Sequence, residues 1–282
     1  MTDVSTPQAA LTSTSTGKPV SPFITSYDLI KAFAVIIMII DHTGHYFFPD
    51  DNWWRAVGRI GFPVWFFLVG YSSGRSIPRI LWGGAVFLLG MNLVTGMDLL
   101  PLNALFTIIL IRLLIDKLMI PVLERKISIW IISAGLFILV FPTLMLTEYG
   151  TQAMITAIFG YVVRHRAKFA AIHKDLPFWY MLFALISFVF TQQFVYLFDN
   201  IQLGFVLFGT LVVRYFLYNF KAQDFPDLNA KLPRPISFAI EFMGRRTLEI
   251  YVVHLTLFKL AAPYFLSEPI NWFHFVLTSS SF

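Results

Sequence analysis

Apolar residues come along this chain in long runs separated by short polar breaks. A bilayer crossing takes about 20 mainly apolar residues. Runs of that kind fall at 29–48, 57–74, 79–96, 102–121, 128–146, 150–164, 178–198, 201–220 and 247–266. The pattern predicts an all-α, polytopic transmembrane helix bundle of about nine spans, with eight or ten as neighbouring counts. The run at 150–164 is short, so it reads as tilted or broken at its glycines. Residues 1–26 are rich in Ser, Thr and Pro with no apolar face, the composition of a disordered tail. Only Lys18 precedes the first run, so a cleavable signal peptide is not expected. Residues 27–266 form the transmembrane domain. The remainder, 267–282, reads as a short interfacial tail, because INWFHFVL (Ile270 to Leu277) is too short to span.

The breaks alternate in charge. One set holds Arg75 and Arg79, then Lys117, Arg125 and Lys126, then Arg164, Arg166, Lys168 and Lys174, then Lys221, Lys231, Arg234, Arg245 and Arg246. The other holds Asp50, Asp51 and Arg55, then Asp98, Glu148 and Asp199. Lys and Arg in short loops stay on the cytoplasmic side, which predicts a cytoplasmic N-terminus. Composition agrees with a membrane protein: 57% of residues are hydrophobic and 13% charged, where soluble domains carry about a quarter charged. The net charge of +5 is then accounted for by topology, and no nucleic-acid partner is expected. The absence of Cys excludes disulfides, thiolate zinc sites and a cysteine nucleophile.

Charged groups within spans are costly and point to a site or pathway. The first span, SYDLIKAFAVIIMIIDHTGHYFF, holds Asp28, Lys31, Asp41, His42 and His45. Lys31 and His42 are eleven residues apart, which places them on one helix face about 16 Å apart along the axis, with Asp28 one turn below Lys31. Asp28 and Lys31 read equally well as interfacial residues that snorkel. Asp41 is placed to approach His45 at i+4. Two His and one Asp can suggest a metal, but His at i and i+3 without a further ligand is a weak pattern, and no metal is expected.

In the second span, VGRIGFPVWFFLVGYSSGR, a short loop brings Arg59 near Asp41 and His45, as an ion pair or a substrate contact. Pro63 is expected to kink the helix. Gly70 and Gly74, and then Gly83 and Gly84, read as close-packing positions. The last span, FMGRRTLEIYVVHLTLFKLAA, offers Arg245 with Glu249 at i+4, and Tyr251 with His254 on one face. A phosphate loop, GxGxxG and HExxH are all missing. What remains is a titrating group deep in a helix with a cation below it, suited to general-base chemistry or to carrying protons.

Asp28-x-x-Lys31-x10-His42 resembles the opening helix of the membrane acyltransferase superfamily, which carries an acidic residue, Arg or Lys, ten residues and His. DHTGHYFFP from Asp41, GRIGFPVWFFLVGY from Gly58 and GRRTLEIYVVHL from Gly244 are similar to the TraX family of pilin acetyltransferases. The resemblance implies a multi-pass, bacterial inner-membrane enzyme that uses acetyl-CoA as co-substrate. It carries the family histidine onto His42 and the basic residue onto Lys31. Lys in place of Arg gives a point-charge contact to phosphate where a fork would give a bidentate one. On this reading His42, with Asp41 and His45, is catalytic. Lys31, Asp28, Arg75 and Arg79 serve the donor, with Arg164, Arg166, Arg245 and Arg246 nearby. Arg59, Glu249, Tyr251 and His254 support the site or the substrate. The acceptor, a protein N-terminus or a glycan, is not identified by the sequence. A proton-coupled transporter using the same groups, and a non-catalytic membrane partner, are the alternatives.

Overall fold

A computed structural model describes residues 21–266 and Leu277, and the other tail positions lie outside the described residues. The described chain is all-helical apart from two isolated bridges, Thr25 with Asp224 and Leu102 with Thr147. All nine apolar runs are helical. The first is α1 (Ser26–Phe47), and the second divides into α2 (Asn52–Arg59) and α3 (Phe62–Tyr71). Next come α4 (Arg79–Thr95) and α5 (Ala104–Leu123), then α6 (Ile129–Ile138) and α7 (Val140–Leu144), which share the fifth run. The sixth run is α8 (Gly150–Arg164), followed by a short connecting helix, α9 (Arg166–Ala170). α10 (Leu176–Tyr196) and α11 (Asn200–Tyr218) form the next two; α12 (Pro226–Lys231) and α13 (Arg234–Arg245) then lead to α14 (Thr247–Phe265). Four helices, α1, α10, α11 and α14, are long and apolar enough to cross a membrane. α5 has the length but carries Arg112, Asp116 and Lys117.

Polar residues in the breaks start the helices. Thr25 and Asp28 close a reciprocal capping box on α1, and Asp199 with Gln202 does the same on α11. Asp51, Asn103 and Ser128 cap α2, α5 and α6. Each side-chain oxygen takes an N–H that the first turn cannot satisfy internally. Cross-links among the breaks define two ends of the bundle. At one, Arg164 donates to the Tyr71 carbonyl, Arg166 to that of Tyr218, and Arg125 to that of Ala171. Arg245 there donates to the Ser21 and Phe23 carbonyls. At the opposite end Asn52 donates to the Tyr196 carbonyl, and Glu148 N–H to that of Leu102. The first of these ends is the basic one.

α8 is short because it sits inside the protein. Every residue from Gln152 to Val163 is buried, against α3, α5, α6, α7 and α10. A helix enclosed on all sides needs no polar face. Its tightest neighbour is α3, where a Cβ on Gly70 would lie 1.8 Å from the Ala157 carbonyl oxygen, and one on Gly160 2.1 Å from that of Phe67. Backbone cannot yield as a side-chain tip can. Gly70→Ala and Gly160→Ala are therefore each expected to cost on the order of 1–3 kcal/mol by overpacking. Thermal unfolding in detergent checks this; an unchanged midpoint in both variants contradicts the packing.

Three expectations are corrected. Gly74 lies beyond the end of α3, with only Ser72 Oγ near its would-be Cβ, so the Gly70–Gly74 spacing is not a packing pair. Of Gly83 and Gly84, only Gly84 approaches neighbours, the side chains of Leu105 and Val252. Pro63 does not kink a continuous helix. The helix stops after Arg59 and restarts at Phe62, with Pro63 in the new first turn, where a missing N–H leaves nothing unsatisfied. The break lies against α1, because a Cβ on Gly58 would overlap Asp41 and one on Gly61 would overlap Ile37.

Two apolar clusters make up the interior. The larger gathers α3, α8 and α10 around Phe66, Phe67, Phe159 and Phe188. The smaller gathers α4, α5 and α14 around Leu81, Leu88, Leu105 and Leu255. Ile108 and Tyr149 touch both clusters.

Candidate active site

α1 and α14 lie side by side, and this contact brings His42 to His254. Their facing nitrogens, His42 Nδ1 and His254 Nε2, are 2.7 Å apart. The rings lie within 14° of one plane with centroids 5.0 Å apart. Tyr251, one turn back on α14, stands 6.1 Å from the His42 ring, and its buried hydroxyl makes no side-chain hydrogen bond among the described residues.

His42 also stands where two cavities meet. One, of about 840 Å³, opens among the residues of the acidic-loop end and is polar: Asp41, His45, Arg55, Arg59, Glu148 and Lys259 are on its wall. The other, of about 380 Å³, runs towards the basic end between the two apolar clusters. Phe66, Leu68, Leu81, Leu105 and Tyr251 line it, and its cations are Lys31 and Arg112. His42 and Tyr149 line both. The stripe from Lys31 to His42 is thus one wall of the second cavity.

The wall of the polar cavity is fixed by charge. Asp41 is buried and takes Arg59 in a close ion pair, with Arg55 Nη1 at 3.1 Å. Arg55 also donates to the Asp41 carbonyl and the Tyr196 hydroxyl, and both guanidiniums lie over the Tyr196 ring. The GR of GRIGFP accounts for this: Gly58 lets α2 close on Asp41, and the next residue supplies the counter-charge. His45 is exposed to the cavity and rests edge-on against Tyr46. Asp41 therefore serves the arginines and makes no bond to His45.

Elsewhere the predicted residues divide. Asp28 accepts from Thr25 N–H and Oγ1 and faces Arg245 Nε at 3.7 Å, with no ion pair to Lys31. A Cβ on Gly244 would meet Asp28 Cα at 2.5 Å, which sets α13 against the start of α1. Arg75 is held by Asp116 and by the Val69 and Ser72 carbonyls. Arg79 is exposed at the start of α4. Glu249 pairs with Arg246 at 3.0 Å, not with Arg245, whose partner is Glu241 at 3.1 Å. The i+4 spacing misleads here because α13 ends at Arg245, so Arg245 and Glu249 do not share a helix.

Several cavity residues carried no earlier assignment to the site. Arg112 reaches the mouth of the second cavity while donating to the Ser76 carbonyl. Lys259 bonds Asn92 on the polar wall. Glu148 Oε2 accepts from Ala104 N–H at 3.0 Å, an arrangement made by the Leu102–Thr147 bridge. Burial raises the Glu148 carboxyl above its ordinary range, against the pull of Lys259, the Ala104 N–H, Arg59 and Arg55. A carboxyl raised on folding is favoured in its protonated form, so its contribution is present at low pH and lost as pH rises through the raised value. Glu148→Gln, which keeps an oxygen for Ala104, is expected to flatten that part of the stability–pH curve. Unfolding midpoints across acid to neutral pH check it, and an unaltered slope would contradict it.

These features define a membrane protein in which one member of a histidine pair, His42, borders two cavities. The family described as TraX protein matches residues 26–261, and the chain belongs to that family. It is also 31% identical over 144 residues to an uncharacterized protein of Rickettsia prowazekii (strain Madrid E), a match that covers 49% of this chain and 56% of that protein. No solved structure matches the chain.

Proposed function

We propose that this protein is a nine-span inner-membrane acetyltransferase that moves an acetyl group from cytoplasmic acetyl-CoA to an amine or hydroxyl acceptor. The observation that carries the reading is that His42 borders both cavities, so donor and acceptor can meet at one base while entering separately. The nine helical runs and the concentration of Lys and Arg at one end of the bundle support an N-terminus on the cytoplasmic side. At that end Lys31 and Arg112 would receive the donor's phosphates, and the narrow apolar cavity would take its pantetheine arm. The distance of about 16 Å along α1 from Lys31 to His42 suits such an arm. The polar cavity would hold the acceptor, with Arg55 and Arg59 fixed by Asp41. His42 would remove the acceptor's proton as it attacks the thioester carbon. Membership of the TraX family, together with the acyltransferase-like Asp-x-x-Lys-x10-His spacing, supports the same chemistry.

Purified protein incubated with radiolabelled acetyl-CoA and a membrane or periplasmic extract is expected to label a discrete acceptor, and CoA is expected to raise its melting temperature. No labelled product together with no CoA-dependent shift overturns the reading. Two cavities meeting at a titratable pair would also suit a proton-coupled carrier. In that case flux would depend on His42 and CoA would have no effect.

A further inference from the structure

We propose that His254 is a positioning residue that fixes the proton of His42 on Nδ1 and leaves Nε2 as its basic nitrogen. A chain of hydrogen bonds runs from α14 to α1. His254 Nδ1 is 2.7 Å from the Ile250 carbonyl oxygen, four residues back on its own helix. A carbonyl only accepts, so His254 Nδ1 carries the hydrogen. In neutral imidazole the other nitrogen is then a lone pair, and it faces His42 Nδ1 at 2.7 Å. Two lone pairs cannot meet at that distance, so His42 Nδ1 is the donor. The near-coplanar rings and the 5.0 Å centroid separation are those of two imidazoles joined edge to edge, which puts the bond in line with both rings. His42 Nε2 is left with its lone pair, engaged by no described residue, on a ring that borders both cavities. The partner that sets a histidine's tautomer and orientation decides which nitrogen can act.

The inference rests on the acetyl-transfer reading for its use, though not for its geometry. During transfer the acceptor's nitrogen or oxygen forms a bond to the thioester carbon, and His42 Nε2 takes its proton. The carbon–sulfur bond breaks, its electron pair stays on sulfur, and the CoA thiolate recovers one proton as the thiol. While the imidazolium exists, its Nδ1–H bond to His254 strengthens because the donor is charged. The positive charge is shared along the line His42–His254–Ile250 carbonyl, inside the protein. Tyr251 has no part in the line, since its hydroxyl bonds neither histidine.

The test compares the native full-length protein in detergent with His254→Leu and His254→Gln, and uses His42→Gln for assignment. In the native protein, ¹⁵N resonances of labelled His42, assigned by comparison with His42→Gln, are expected to show a protonated Nδ1 and an unprotonated Nε2. In His254→Leu, which removes the acceptor, the His42 signals are expected to move to mixed tautomers. The rate of acetyl transfer should fall about 10-fold or more, mainly in kcat, with KM for acetyl-CoA little changed. In His254→Gln, whose side-chain oxygen can occupy the place of Nε2, both the signals and most of the rate should return. A His42 that carries its proton on Nε2 in the native protein overturns the inference, as does a His254→Leu variant with native signals and native kcat. If the tautomer is as stated but no form transfers acetyl, the acetyl-transfer reading fails and the geometry stands. Size-exclusion profiles separate these outcomes from misfolding, and should His254→Leu not fold, the native tautomer and His254→Gln still decide the matter.

Discussion

Replacing His42 by Ala is expected to lower acetyl transfer by about 10²–10⁴-fold while leaving most of the affinity for acetyl-CoA. General-base catalysis contributes typically that range, and the donor's phosphates and pantetheine arm would be held elsewhere, at Lys31, Arg112 and the apolar wall. The partition between rate and binding is what gives the variant its value. Loss of a ligand contact raises KM, whereas loss of a base lowers kcat. Radiolabelled transfer with saturation analysis, beside a CoA-dependent thermal shift, separates the two. A scaffold would tolerate the change. A carrier would lose flux and show no response to CoA. Since His42 fills the junction of two cavities and stands outside both apolar clusters, removing its ring should leave the fold intact.

The second large effect falls on stability. Asp41→Ala is expected to destabilise the protein by about 3–5 kcal/mol, the cost of breaking a buried ion pair by removing one partner. Asp41 and Arg59 are both almost completely buried, and Arg59 Nε already lacks a partner among the described residues, so the guanidinium that remains would lose the carboxylate it contacts, with Glu148 nearby but in no ion pair with it. Arg55, which is part-exposed to the cavity, can turn outwards at little cost; Arg59 cannot. Asp41→Ala combined with Arg59→Met is expected to regain much of the loss, because the penalty lies in the unpaired charge. Chemical or thermal unfolding of both variants checks this. A single variant as stable as the native protein, or a double variant no better than the single, contradicts the assignment of Asp41 to the arginines.

Much of this was legible in the sequence. The nine apolar runs all became helices, because run length and composition are local properties. The Asp41–Arg59 pair was legible too, since a short loop forces the end of one run against the start of the next. The Lys31-x10-His42 spacing put both residues on one face of α1, and both line the second cavity, whereas Asp28 caps the helix. Three things were hidden, each for a reason of its own. α8 looked defective because it is short, yet it is the most enclosed helix, and enclosure depends on what other helices do. α13 read as a basic loop, although its residues pack against the start of α1 through Gly244, a contact fixed by shape and not by hydropathy. The pairing of His42 with His254 joins residues 212 apart, and no spacing rule reaches that far. Glu148 and Lys259 entered the cavity in the same way, from a loop and from the far end of α14.

The central claim is that donor and acceptor reach His42 from opposite ends of the bundle. Inside-out membrane vesicles containing the protein, with radiolabelled acetyl-CoA supplied only to the exposed cytoplasmic face, test it most directly. Label is expected to appear on acceptor enclosed in the vesicle lumen, without acetyl-CoA itself entering, and to disappear with His42→Ala. Label confined to acceptors on the same face as the donor, or luminal label that persists without His42, would contradict the account.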